Sequence, residues 1–174
     1  MFFFFLKALS NKTCIFRGVL EEFGFKNNMF LPSEIAKMHG EEKIDSRKQH
    51  PAVFSFNPQA VKSKQFCKSF TINQYYVYQQ ENLDGISQDF VYFAVNIDIG
   101  HWKDHMEELE KVPKQIFCQS SFDSLAYLKQ PILGITSPQL YMKVKGCWTG
   151  GHMENMNLQA VNINHGNIFL NVHY

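Results

Sequence analysis

His152 and Glu154 stand one residue apart in the run Thr149-Gly150-Gly151-His152-Met153-Glu154. On a β-strand, residues i and i+2 project from the same face, so an imidazole and a carboxylate at this spacing can meet one cation. Together they form all but one histidine of the two-histidine, one-carboxylate set that leaves positions on iron(II) open to a chelating cosubstrate and to oxygen. The pair alone is weak evidence, since two polar surface groups often share this spacing by chance. Two histidines follow it, His165 and His173. On a strand spanning 161–165, His165 projects away from the face of Asn162 and Asn164 and so away from such a metal.

Three other positions suit a site beside that pair. Asn162 and Asn164 alternate with Val161 and Ile163, which gives a strand with an amide face and an apolar face. Lys143 lies within Leu140-Tyr141-Met142-Lys143-Val144, flanked by apolar residues and on the same strand face as Tyr141. There it either pairs with a dicarboxylate or lays its stem on the sheet and its ammonium in water.

The elements that must carry these residues are legible in part. Residues 90–98 are apolar and β-prone, which predicts a central strand, and 140–144 and 152–164 predict later strands around a turn at Gly150-Gly151. Thr71 with Gln74 is a capping box that opens a helix over about 71–80. Pro32-Ser33-Glu34 predicts a short serine-capped helix stopped at Gly40. Trp102, Met106, Leu109 and Val112 form a helical stripe ended by Pro113, with Glu107 and Lys111 as an i,i+4 pair. Ser120 with Asp123 predicts a further helix before Pro131, and Cys14-Ile15-Phe16 an early strand. The charged, proline-interrupted stretch 41–68 predicts extended segments and loops.

Composition narrows the classes. The chain has 174 residues, 45% of them hydrophobic, enough for one domain with its own core. A net charge of +1 gives no electrostatic case for a nucleic-acid or membrane partner. The apolar run 1–6 is far shorter than the roughly 20 residues of a membrane span. Cys14, Cys67, Cys118 and Cys147 form no CxxC pair, which suits reduced structural thiols.

Leu140 to Val144, Gly146, Thr149, Gly151-His152, Glu154-Asn155, Asn157 and Val161 to Asn164 resemble the catalytic-strand signature of JmjC histone lysine demethylases, in particular those acting on lysine 27 of histone H3. Asn96-Ile97-Asp98, Trp102, Glu108-Leu109, Leu133-Gly134 and Gln139 resemble the same family in the same order. The resemblance is clear over 90–166, fainter over the mixed region 1–89, and absent from 167–174. It implies a single partial JmjC domain over 1–174, mainly β with flanking helices: an incomplete, cupin-like double-stranded β-helix. It further implies Fe(II) held by His152 and Glu154, 2-oxoglutarate contacted by Lys143, Thr149 and Asn162, and a methyl-lysine pocket lined by Tyr141. The implied reaction is oxidative N-demethylation of the histone H3 tail in the nucleus, with chromatin-modifying subunits as further partners and with neither nucleic acid nor membrane bound directly.

The family's third iron ligand, a histidine on a later strand, has no counterpart before Tyr174, so the chain reads as a truncated form. Ala160 stands where the family has a serine, Lys145 where it has a proline and Trp148 where it has an arginine. The missing hydroxyl weakens a hydrogen bond worth about 1.5–3 kcal/mol with a charged partner. Truncation also predicts strands at 140–144 and 161–165 with unpaired edges, and poor solubility. A catalytically silent interaction module is the alternative to an enzyme.

Overall fold

The computed structural model describes residues 17–26, 28–51, 67–83, 90–114, 121, 124–130, 132–149, 160–164 and 170–173, the last four as backbone. In chain order these form α1 (Val19–Glu22), α2 (Pro32–His39), β1 (Lys43–Gln49), β2 (Cys67–Thr71), α3 (Ile72–Glu81), β3 (Val91–Asp98), α4 (Lys103–Leu109), a 3-10 turn (Ser124–Tyr127), β4 (Gln139–Met142), β5 (Asn162–Asn164) and β6 (Leu170–His173). The expected early strand at 14–16 lies outside the described residues.

All strand pairs are antiparallel, in the order β2-β1-β3-β4-β6-β5. Among the described residues this is one open sheet with helices, a mixed α and β arrangement, and no barrel or cupin closure is formed. Of the expectation of a mainly-β, incomplete β-helix with flanking helices, the described residues carry the coarser part, an antiparallel sheet with helices. β4 is flanked by β3 and β6, and β5 pairs with β6. The edge of β4 expected to be bare is therefore covered, by a four-residue strand at 170–173.

Local sequence explains where the elements start and stop. The Thr71 hydroxyl accepts from the Gln74 N–H at 3.2 Å and the Gln74 carboxamide accepts from the Thr71 N–H at 2.9 Å, the reciprocal pair that opens α3. Ser33 does not cap α2. Pro32 occupies its first turn, and the carbonyl of extended Leu31 takes the N–H groups of Glu34 and Ile35 at 3.0 Å. Gly40 keeps right-handed dihedrals and so is not the left-handed stop expected; glycine is needed there because a Cβ would collide with the Asn73 side chain and the Ala36 carbonyl. Its absence lets the start of α3 reach α2, and Asn73 N–H bonds the Gly40 carbonyl at 3.0 Å.

β1 shows how charge hid a strand. Ile44 and Ser46 are buried while Lys43, Asp45 and Arg47 are exposed, an alternation inside the charged stretch 41–68. α4 stops at Leu109, one turn short of the apolar stripe. The i,i+4 pairing of Glu107 with Lys111 is thereby lost. Lys111 instead donates to buried Glu108 at 2.7 Å and to the Gly24 carbonyl at 2.8 Å, and Glu107 meets Lys103 at 3.8 Å. The helix expected before Pro131 is, in its described part, the 3-10 turn alone. Of the strand expected over 152–164, the described part is β5.

The core lies between the helices and one face of the sheet. Ile35, Ile72, Tyr75, Trp102 and Leu109 from the helical side meet Ile44, Phe70, Ala94, Leu140 and Met142 from the strands. Burial of such side chains is worth about 1.5–3 kcal/mol each. Alternation sends Phe93, Tyr141 and Lys143 to the opposite face, where the candidate site residues gather.

Candidate functional site

β3 and β4 are out of step. Ala94 pairs with Met142 and Ile97 with Leu140, so Val95 and Asn96 together oppose the single residue Tyr141: a β-bulge. α3 supplies the bonds that the interrupted ladder leaves over. The Tyr75 hydroxyl, fully buried, lies 2.7 Å from the Tyr92 carbonyl and 2.8 Å from the Met142 carbonyl, and accepts from the Ala94 N–H at 3.3 Å. The Tyr78 hydroxyl accepts from the Tyr92 N–H at 3.0 Å, and Gln79 Nε2 donates to the Lys143 carbonyl at 2.9 Å. The end of β4 that carries Lys143 is thus held by a helix that begins seventy-one residues earlier in sequence.

Lys143 is buried, its Nζ 4.8 Å from the centre of the Phe93 ring and donating to the Thr149 hydroxyl at 3.1 Å. Burial holds its pKa below the ordinary lysine value. Among the described residues no carboxylate forms an ion pair with it. An ammonium withdrawn from water with a neutral hydroxyl as its partner is an arrangement that an incoming carboxylate completes. Of the two readings open to Lys143, a stem laid on the sheet with its head in water and a partner for a dicarboxylate, its burial favours the second.

Thr149 is placed from β1. The Gln49 carboxamide donates to the Trp148 carbonyl at 2.9 Å and accepts from the Trp148 N–H at 3.2 Å, while the Trp148 indole donates to the His50 carbonyl at 3.1 Å. Gln49 therefore bonds the turn as a paired strand would. The tryptophan at a position where the resemblance leads one to expect arginine is what takes the third bond. Cys147, in the turn just before it, has its thiol pushed up to about 11 by burial, which favours the protonated thiol.

Tyr141 is half-buried beside Phe93, their ring centres 5.8 Å apart, with its hydroxyl 2.9 Å from Asn96 Oδ1 and 3.2 Å from Gln139 Oε1. The structure thus brings Tyr141, Lys143 and Thr149 together around Phe93. It does not bring Asn162 to them. Asn162 pairs with His173, which pairs with Gln139, at the far end of β4 from Lys143. Four residues along a strand are about 13 Å, and two strand spacings add nearly 10 Å sideways. His152 and Glu154 lie outside the described residues.

No protein-family model matches the chain. Over 86 residues, 48% of its length, the chain is 40% identical to lysine-specific demethylase 6B of Homo sapiens. Over 79 residues, 44% of its length, it is 34% identical to lysine-specific demethylase jmjd-3.1 of Caenorhabditis elegans. Part of this chain is homologous to lysine-specific demethylases. The matched stretches span 5% and 7% of those two proteins, so the homology is to a small part of each.

In this demethylase-like chain, no group of three His, Cys, Asp or Glu residues that could hold a metal ion occurs among the described residues. The donors nearest to carboxylate chemistry are Lys143 and Thr149. No described helix is long and apolar enough to cross a membrane. Gln49 was not singled out by the sequence, whereas Gln79 falls on the helical period of residues 72–79. Asn96 and Gln139 enter through the family resemblance, and Asn96 is also the polar residue that follows the apolar run 90–95.

Proposed function

We propose that this chain is part of an Fe(II)/2-oxoglutarate-dependent JmjC histone lysine demethylase, a single partial JmjC domain that removes methyl groups from lysine 27 of histone H3. The observation that carries the reading is the buried Lys143 ammonium, hydrogen-bonded to Thr149 and without a carboxylate among the described residues, in a chain homologous to demethylases. That donor pair fits the far carboxylate of 2-oxoglutarate in charge and in hydrogen-bonding capacity. His152 and Glu154 are the proposed iron ligands on the basis of the sequence. Bound iron and cosubstrate supply the oxidative chemistry at the N-methyl carbon, from which formaldehyde is released.

The protein's own share is placement. Lys143 and Thr149 bind and orient the dicarboxylate; Phe93 excludes water from the ammonium; Tyr141 lines the pocket for the methylated side chain. Asn162 as a further cosubstrate contact rests on the sequence likeness alone, since the register separates it from Lys143. An incomplete double-stranded β-helix is the finer fold this reading carries, and the histone H3 tail, chromatin-modifying subunits and a nuclear location are its partners and place.

The test is formaldehyde release from a trimethylated lysine-27 H3 peptide with Fe(II), 2-oxoglutarate and oxygen, alongside calorimetric 2-oxoglutarate binding. His152→Ala should abolish release and Lys143→Ala should abolish cosubstrate binding. A chain that neither binds 2-oxoglutarate nor releases formaldehyde is the silent module instead.

A further inference from the structure

Among the described residues, Lys143 is the one lysine that is buried, 8% exposed. Lys37, Lys103 and Lys111 each have a carboxylate oxygen within 4 Å, from Glu34, Glu107 and Glu108. Lys143 has instead the Thr149 hydroxyl at 3.1 Å and the Phe93 ring at 4.8 Å, neither of which carries a charge. An amine withdrawn from water beside uncharged groups keeps its proton less firmly than an exposed one. Burial accordingly lowers the Lys143 pKa, an effect that the nearby Cys147 thiol opposes.

The nitrogen is also held in place. Its strand end is fixed by Gln79, which donates to the Lys143 carbonyl at 2.9 Å, and its tip by Thr149. A buried lysine that yields its proton is a nucleophile, and the partner that suits a primary amine is the carbon of an aldehyde. The same nitrogen can therefore hold a carboxylate as the ammonium and take an aldehyde as the amine.

We propose that Lys143 is a covalent capture site for small aldehydes, fed by the formaldehyde that the proposed demethylation releases. The source of the aldehyde rests on the demethylase reading, and the capture on the burial and contacts of Lys143. The neutral nitrogen attacks the aldehyde carbon, forming a C–N bond, and the carbonyl oxygen gains a proton as the nitrogen gives one up. That oxygen then leaves as water with the second amine hydrogen, and a C=N bond remains. No oxidant or reductant is consumed, and water reverses the step. While the imine stands, the ammonium that would bind the dicarboxylate is missing, so the product of one turnover restrains the next.

The test treats the full chain with 13C-labelled formaldehyde at neutral pH, fixes the imine with cyanoborohydride, and reads N-methylation at each lysine by peptide mass spectrometry. Lys143 should be methylated about threefold or more faster than the exposed Lys37 and Lys103. Glutarate, a dicarboxylate without a ketone, should slow labelling of Lys143 and leave Lys37 and Lys103 unchanged. Labelling of Lys143 no faster than that of Lys37 and Lys103 overturns the capture site. Fast labelling that glutarate does not slow upholds the capture site, and overturns the dicarboxylate role on which the demethylase reading of this lysine stands.

Discussion

Replacing Tyr75 by phenylalanine removes one oxygen from the middle of the molecule and leaves the ring's packing in place. The ring is fully buried, and its hydroxyl serves the Ala94 N–H and shares its hydrogen between the Tyr92 and Met142 carbonyls at 2.7 and 2.8 Å. Without it, the N–H and one carbonyl lose a partner where water has no access. Taken at the low end of the usual range, about 1–1.5 kcal/mol each, the two losses should together cost about 2–3 kcal/mol, near the upper end for a single substitution. Urea denaturation should show this as a lower midpoint with an unchanged slope, and Tm should fall by about 5–10 °C. Tyr78→Phe is the control, since that half-buried hydroxyl serves one N–H and should cost about 1 kcal/mol. Burial, the largest influence, raises the Tyr75 pKa well above 10.0. Its contribution is therefore complete below pH 10 and is lost as the unfolded chain ionises above it, a decline that Tyr75→Phe should flatten. A Tyr75→Phe chain within about 0.5 kcal/mol of the original, or no weaker than Tyr78→Phe, would refute this account of the bulge.

Burial, before any other influence, lowers the His105 pKa below 6.5, and the ring stands among Phe30, His39 and Trp102 with Nε2 on the Met29 carbonyl. The sign is that of a depressed pKa: stability is present above pH 6.5 and is lost as pH falls through the folded value, so urea midpoints should drop in that window, and less so in His105→Gln. Glu108 is buried, which alone raises its pKa, yet hydrogen bonds from Lys111 and the Lys26 N–H bring it below 4.5. Glu108→Gln should cost about 1.5–3 kcal/mol at pH 7 by thermal melting, and much less at pH 3. Lys143→Met should raise the Tm of the ligand-free chain, by up to about 1 kcal/mol of stability, while eliminating 2-oxoglutarate binding by calorimetry; a lowered Tm would mean that the ammonium is already paired.

The sequence made the helix at Thr71 and the strand at 91–98 readable because each carries a short-range signal, a capping box in one case and an unbroken apolar run in the other. The same patterning placed Tyr141 and Lys143 on one face, where Phe93 joins them. What stayed hidden depends on partners far away in the chain. β1 is polar on its outer face, so its two buried positions, Ile44 and Ser46, were too few to outweigh the charges. The pairing of Lys111 with Glu108 follows from where α4 stops, which tertiary packing decides. Gln49 is unremarkable in sequence and acquires its role only opposite Trp148.

That last contact joins positions 99 residues apart through hydrogen bonds exposed to water. Closing so long a loop costs entropy that two exposed bonds barely return, so the turn bearing Thr149 forms late, after β1 has found its place beside β3. Hydrogen bonds exposed to water open more readily than those of a covered sheet, so amide exchange at Trp148 should be faster than at Ala94. The Lys143 backbone is held separately, by Gln79 of α3 on its carbonyl, so the strand end and the turn that meet at the ammonium are anchored to different parts of the chain.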